Sequence, residues 1–296
     1  MNEIKSPIYY TGNKYRLLSE LKDYIPAKIN TFIDLFGGSG VMAINFSQRS
    51  KKVIYNELNT NIYNLFNYLI KTPFKDVNNF ILKIIKDFSL EETKDLVSHK
   101  QCFYALRDYI NKNGYNKDPK WFYVISHFSF CNGLTWNKND LLDIGYGARF
   151  YKNDIIEYNL NYTQYYLSKK IKLYNKDFSY FLTDPFIRTL TKDDYVYIDP
   201  PYFGTKASYN KLWDAAKENQ LLNGILKLHK NKIKFGLSNI YQNKHTTNEH
   251  LIKWAKENGF YIHYPNVTYN YGGNGDSESI EVFITNTANN YQSSLF

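Results

Sequence analysis

The sequence predicts an α/β fold: a mixed sheet flanked by helices and interrupted by a mainly helical insertion. Three observations predict it. Short β-branched and aromatic runs alternate with helical apolar spacing over residues 1–70, and again over residues 167–296. Several of these runs end in glycine, acid or proline, namely Gly37-Gly38-Ser39-Gly40, Glu57, Asp177 and Asp199-Pro200-Pro201-Tyr202. In an open α/β sheet, ligands bind outside the carboxyl ends of the strands, so these ends are the candidate site. Between them, residues 71–166 carry helical periodicity and long polar loops but no strong strand pattern.

Taken in order, the polar loop Tyr10-Thr11-Gly12-Asn13-Lys14 leads into a helix with Leu17, Leu18, Leu21, Tyr24 and Ile25 on one face, stopped by Pro26. Its Gly-x-Lys is too short for a phosphate-binding P-loop. Thr31–Phe36 reads as a strand, the glycines as a turn, Val41–Gln48 as a helix and Lys52–Asn56 as a second strand, which together make one βαβ unit. A helix with Ile62, Leu65, Phe66 and Leu69 follows. In the insertion, helices are expected over Phe80–Phe88, Phe103–Ile110 and Trp121–Phe130, then a loop over Asn132–Phe150. The α/β pattern resumes with Ile171–Tyr174, a short helix, and the strand Tyr195–Ile198. Two consecutive prolines cannot continue a central strand, so Asp199 and Tyr202 sit on a stiff turn. Beyond the polar loop Phe203–Trp213 come a helix (Ala215–Leu228), a strand (Ile233–Leu237), a helix (Glu249–Glu257) and an antiparallel pair, Tyr261–Tyr264 with Ile280–Thr285.

Composition narrows the function. No apolar run approaches the roughly 20 residues that a membrane span needs, and residues 1–14 carry no secretory leader, so a cytoplasmic protein is expected. Cys102 and Cys131, with no CxxC and no histidine cluster, are expected to be buried thiols rather than a disulfide or a zinc site. The net charge of +9 favours an anionic partner. Between Lys71 and Lys176 stand 17 Lys or Arg against 11 Asp or Glu, so most of the excess lies over the insertion and the ten residues that follow it.

The strand-end residues then specify chemistry. Gly37, Gly38 and Gly40 let the chain turn sharply beside a ligand, and Glu57 at the end of the next strand is spaced to bind ribose hydroxyls. That much suits a dinucleotide or any adenosine cofactor. Asp34, just before the glycines, would repel a pyrophosphate but suits the cationic amino-acid end of S-adenosyl-L-methionine. Asp177 can accept from an adenine amino group and Phe178 can pack on the base, although the pair also reads as a plain strand-end cap.

In this order the residues resemble the N6-adenine DNA methyltransferases of the Dam type. Tyr10–Lys14 is similar to that family's amino-terminal cofactor motif, Asp34–Gly40 with Phe36 to its glycine-rich motif, Glu57 to its ribose acid and Asp177 to its adenine acid. Asp199–Tyr202 is similar to its catalytic motif, Phe103–Arg107 and Asn132-Gly133-Leu134 to its target-recognition residues, and Glu281–Asn286 to its closing strand. The resemblance implies a Rossmann-like class I S-adenosylmethionine-dependent methyltransferase fold, with a seven-stranded mixed sheet whose last strand is antiparallel. Residues 71–166 would be an inserted DNA-binding, target-recognition subdomain. One departure stands out: Thr135 and Trp136 follow the Asn-Gly-Leu where many relatives carry an arginine, and Gly145–Gly147 matches poorly, so the target sequence stays open. Trp136 either stacks on DNA or packs inside the insertion.

The implied reaction moves the methyl group of S-adenosyl-L-methionine to N6 of an adenine flipped out of duplex DNA, leaving S-adenosyl-L-homocysteine and needing no metal. Asp199 and the Pro200 carbonyl would accept the two amino N–H bonds, and Tyr202 would stack on the base. Lys14 would touch cofactor or phosphate. Arg107, Asn132, Thr135, Trp136, Lys138, Arg149, Lys152, Lys206 and Tyr209 are the candidate DNA contacts. The resemblance also implies a monomer in a bacterial or phage setting, at the nucleoid, with or without an independently acting restriction endonuclease. Adenine-N6 methylation of RNA and a non-catalytic DNA-binding homologue are the alternatives.

Overall fold

The computed structural model describes residues 2–9, 12–130, 135–202, 213–242, 247–265 and 279–288. Its seven strands are β1 (Ile29–Asp34), β2 (Ser50–Asn56), β3 (Ile171–Tyr174), β4 (Tyr195–Ile198), β5 (Lys234–Gln242), β6 (Tyr261–His263) and β7 (Ile280–Thr285). They form one sheet in the order β3-β2-β1-β4-β5-β7-β6. Neighbours from β3 to β5 are parallel, and β7 runs antiparallel to both β5 and β6. This is the expected seven-stranded mixed sheet with an antiparallel last strand, the class I methyltransferase arrangement. The strand order reverses between β1 and β4, and the crevice at such a switch point is where open α/β sheets bind ligands.

All four residues of β4 are buried, as expected of a central parallel strand covered on both faces. On one face Phe32, Tyr195, Tyr197 and Phe46 stack against the helices α1 (Leu18–Tyr24) and α2 (Val41–Phe46). On the other, Ile33, Val196, Ile198, Phe235 and Leu237 pack with α9 (Ala215–Lys230) and α10 (Glu249–Glu257). The remaining helices are α3 (Thr60–Lys71), α4 (Phe74–Asp87), α5 (Leu96–Lys112), α6 (Pro119–Ser126), α7 (Asn153–Leu167) and the one-turn α8 (Asp184–Ile187).

Element bounds shift by a few residues in several places, as in α4 and α5, which start earlier than expected, and two differences are larger. β5 runs on past Leu237 to Gln242, because antiparallel pairing with β7 carries it through Ser238 and Asn239. α7 had no counterpart in the sequence reading. Its inner face is Ile156, Asn159, Leu160, Thr163 and Leu167, but the outer face carries Tyr158, Tyr162, Tyr165 and Tyr166 where charges would have marked an amphipathic helix. The apolar core is continuous from Val53, Ala43 and Phe66 beside the sheet through Ile81, Phe103, Phe122 and Leu160 of residues 71–166. Cys102 is a free thiol and only half-buried, so its expected full burial is corrected; Cys131 lies outside the described residues.

Candidate active site

A cavity of about 410 Å³ opens at the carboxyl ends of β1, β2 and β4. Its walls include Lys14, Asp34, Phe36, Gly37, Gly38, Glu57, Asp177, Phe178, Asp199, Pro200 and Tyr202, so the structure gathers residues spread over nearly 190 positions of sequence.

The first wall is the turn from β1 into α2. Asp34 is 1% exposed, and its Oδ2 accepts from the backbone N–H of Ala43 at 3.1 Å, capping the first turn of α2. Gly38 takes a positive φ of 51° and Gly40 one of 75° as the cap residue of α2. A Cβ at Gly37 would collide with the ring of Tyr55, and one at Gly40 with the ring of Phe66, so packing beneath the turn also demands these glycines. Glu57 closes the turn from β2. Its Oε2 accepts from Gly38 N at 2.8 Å and its Oε1 from Asn59 N at 2.7 Å.

The second wall is aromatic. Phe36, Phe178 and Trp213 meet with centroids 5.4–5.7 Å apart, a cage of the size that takes a flat base. Asp177, half-buried beside it, caps the following turn by accepting from Ser179 N at 3.0 Å and meets Lys217 Nζ at 3.5 Å. Burial pushes the Asp177 carboxyl up, but the Ser179 hydrogen bonds and Lys217 outweigh it and hold the group below the usual carboxylate range.

The third wall is the end of β4. Lys14 Nζ lies 3.0 Å from Asp199 Oδ1 and also donates to the Tyr202 hydroxyl, while the Tyr202 hydroxyl donates to the same Oδ1 at 2.9 Å. Lys14 is nearly fully buried, so its charge is spent on Asp199 rather than on solvent. Burial raises the Asp199 carboxyl and Lys14 opposes that rise; burial and then Asp199 push the Tyr202 phenol well up. Asp34 is raised well above its ordinary value, by burial first and by the fields of Asp199 and Glu57 after it. Asp34 thus feels two other carboxylates across one cavity.

Other expected site residues fall elsewhere. Gly40 supports the turn from beneath rather than lining the cavity. Trp136 packs inside the insertion, with Nε1 donating to Asn116 O at 2.9 Å and its edge toward Phe122. Arg107 lies over the ring of Tyr104 and pairs with Asp108; Lys152 pairs with Glu92 at 3.7 Å. Thr135, Lys138 and Arg149 are exposed, and Thr135 donates to Asp143 O. Tyr10, Asn132, Lys206 and Tyr209 lie outside the described residues.

Sequence reasoning missed Trp213, Lys217 and Asn56. Asp214 caps α9 by accepting from Lys217 N at 2.8 Å, and Trp213 just before it donates to Glu218 Oε2 at 2.6 Å. A Trp-Asp pair at a helix start was the available signal, since a large residue there packs back on the first turn. Asn56 ties the ends of three strands together by donating to Leu35 O and Lys176 O.

Comparison with known sequences places this geometry. Residues 10–271 match the D12 class N6 adenine-specific DNA methyltransferase family. The chain belongs to this family. It is 32% identical to the modification methylase StsI of Streptococcus sanguinis over 297 residues, 96% of this chain and 43% of StsI. It is 30% identical to the type II methyltransferase M.FokI of Planomicrobium okeanokoites, covering 97% of this chain and 43% of M.FokI. To the DNA adenine methylase of Haemophilus influenzae it is 26% identical, over 65% of this chain and 62% of that protein. The chain therefore spans less than half the length of StsI and M.FokI.

Proposed function

We propose that this D12-class chain transfers the methyl group of S-adenosyl-L-methionine to N6 of an adenine flipped out of duplex DNA. The observation that carries the reading is the single cavity bounded on one side by the Gly37–Gly38 turn with Glu57 and Asp177, and on the other by Asp199, Pro200 and Tyr202. A transfer between two bound groups needs both to reach one space, and little more than that arrangement.

The cavity fits the donor on its own chemistry. Burial first, and then the fields of Asp199 and Glu57, raise the cost of ionising Asp34, and a ligand that brings an ammonium to it relieves that cost. Glu57 would hold the ribose hydroxyls, Asp177 and the Phe36–Phe178–Trp213 cage the adenine ring, and Asp34 the cationic end. When bound, S-adenosyl-L-methionine supplies an electrophilic methyl group, and S-adenosyl-L-homocysteine is the product. No metal enters this reaction.

Asp199 does the work on the acceptor. An adenine amino nitrogen is a poor nucleophile because its lone pair is delocalised into the ring. Among the described residues the partners of Asp199, Lys14 and Tyr202, both meet Oδ1, which leaves Oδ2 for one amino N–H while the Pro200 carbonyl takes the other. Accepting both draws the nitrogen toward tetrahedral geometry and frees its lone pair for attack, and the carboxylate then stabilises the positive charge that develops there. The Tyr202 ring, anchored through its hydroxyl, is placed to stack on the base, an interaction worth about 1–3 kcal/mol.

In this reading residues 71–166 recognise the target. Arg107, Asn132, Thr135, Lys138, Arg149 and Lys152 of this stretch, with Lys206 and Tyr209 of the loop after Tyr202, are the proposed contacts to double-stranded DNA, while Trp136 supports the insertion from within. The names of StsI and M.FokI support a restriction-modification setting with an endonuclease that acts independently. We take the protein to act as a monomer in the cytoplasm. The test is incubation with labelled S-adenosyl-L-methionine and a mixture of duplex DNA and RNA, followed by digestion to nucleosides. Label in N6-methyldeoxyadenosine is expected. Label confined to RNA, or absent while the cofactor binds, overturns the reading.

A further inference from the structure

Asn239 is 1% exposed, and its side-chain Nδ2 has no hydrogen-bond partner among the described residues. Its Oδ1 accepts from the backbone N–H of Ile240 at 2.8 Å. Because that backbone group can only donate, the oxygen end of the amide is fixed, and the orphan end is the one carrying two N–H bonds. The residue stands where the pairing of β5 with β7 shifts register between Ile240 and Gln242. That irregularity explains a residue able to cap Ile240 N. It does not explain the buried donor: Asp caps as well without one, and a buried N–H left unpaired costs free energy comparable to a lost hydrogen bond.

The place of Asn239 supplies what the irregularity does not. β4 and β5 are parallel neighbours with Ile198 facing Leu237. Pro200 stands two residues past Ile198 and Asn239 two past Leu237, so both leave the same pair of neighbouring strand ends, Asn239 behind the cavity wall and Pro200 on it, where its carbonyl takes one amino N–H in the proposed reaction. Adjacent strands lie about 4.8 Å apart, so a short amide there is within reach of a base held at that carbonyl. Next to it, Ser238 Oγ and the Tyr197 hydroxyl are paired at 2.8 Å, which fixes the two strand ends together. Adenine offers a ring acceptor on either side of its amino carbon, N1 on one edge and N7 on the other.

We propose that Asn239 is a base-binding residue, its Nδ2 donating to the ring nitrogen that flanks the amino group of the target adenine. The assignment rests on the methyltransferase reading above. It gives the pocket a donor to match the two acceptors, Asp199 and the Pro200 carbonyl, so that the base is held in plane at three points. A contact at N1 would also reject guanine, whose N1 bears a proton.

The test compares the wild-type protein with Asn239→Asp and Asn239→Leu. Calorimetric binding of S-adenosyl-L-methionine is expected to match wild type; thermal unfolding is expected to stay cooperative at a modestly lower temperature, because Asn239→Leu removes the cap of Ile240 N along with the orphan and Asn239→Asp keeps the cap but buries a carboxyl. Methyl transfer to adenine-containing duplex DNA is expected to fall about 10- to 100-fold in both variants. The same rates are then read on DNA carrying 7-deazaadenine or 1-deazaadenine in place of adenine. The wild-type-to-variant ratio cancels any loss in target recognition, and it is expected to collapse to about 1 on one analogue, which names the ring nitrogen. Variants as fast as wild type, or a ratio unchanged on both analogues, overturn the assignment while leaving the methyltransferase reading intact. Variants that bind no cofactor show a structural role and overturn it likewise. Wild-type protein that binds the cofactor but methylates no adenine overturns the methyltransferase reading, and the assignment falls with it.

Discussion

The two sides of the cavity hold their acids in different ways. On the donor side, each carboxylate accepts from backbone N–H groups: Asp34 from Ala43, Glu57 from Asn59 of its own turn and Gly38 of the neighbouring one, Asp177 from Ser179. On the acceptor side, Asp199 is held among the described residues by side chains alone, Lys14 and Tyr202, the two of them 188 positions apart in sequence. Backbone donors come with the strand and turn that carry the acid, so the donor side is set once the sheet forms. Side-chain donors can be exchanged, and a site that must receive a base out of a duplex benefits from partners that yield.

The contrast is sharpest at Asp199 itself. Asp199→Ala is expected to cut methyl transfer by at least about 1,000-fold, the scale seen when one preorganised group is removed from a developing charge, while cofactor affinity stays within a few-fold. A variant that loses both together would show that the two sides are not separate. Glu57→Ala should give the opposite pattern. Cofactor affinity is expected to fall about 10- to 100-fold by calorimetry, for the loss of one charge-assisted set of hydrogen bonds, with methyl transfer largely restored at saturating cofactor.

Lys14→Gln tests the exchangeable partner. The Lys14 charge opposes the rise that burial imposes on Asp199, so its loss moves the Asp199 carboxyl further up and delays ionisation. The acid limb of the pH profile for kcat/KM is therefore expected to shift to higher pH, with about a 10-fold loss near neutrality. An unmoved limb would mean that Asp199 is not the group that titrates.

The smallest expected effect is on stability. Asp34 is raised in the folded protein chiefly by burial, so its ionised form disfavours folding. Its contribution is complete below the unfolded carboxylate value and is lost as pH rises through the folded one. Asp34→Asn removes that penalty and keeps an oxygen for Ala43 N. Its Tm is expected to rise by about 2 °C at neutral pH and to converge with wild type in acid, while cofactor affinity falls. A lower Tm at neutral pH would show that the capping bond depends on the charge.

Most of the sheet and the donor side were legible in the sequence, because each strand ends in the residue that serves the site and the local pattern fixes both. Ile171–Tyr174, Tyr195–Ile198 and Glu249–Glu257 were read with their exact bounds. What stayed hidden were contacts made by tertiary packing. α7 presents tyrosines where charge would have announced it, Trp213 and Lys217 reach the cavity only because α9 starts beside Asp177, and nothing local in Lys14 says that it will be buried against Asp199. Asn239, two residues past the expected strand Ile233–Leu237, carried no signal of its own, since the missing partner of its amide is a fact of three dimensions.

The central claim is that one cavity holds a methyl donor on one side and activates an adenine on the other. It is tested most directly by measuring cofactor binding and N6-methyldeoxyadenosine formation side by side in wild-type protein and in Asp199→Ala. The account predicts equal binding in both and product only in wild type. Product from Asp199→Ala at a rate near wild type, or cofactor binding lost along with activity, would contradict it.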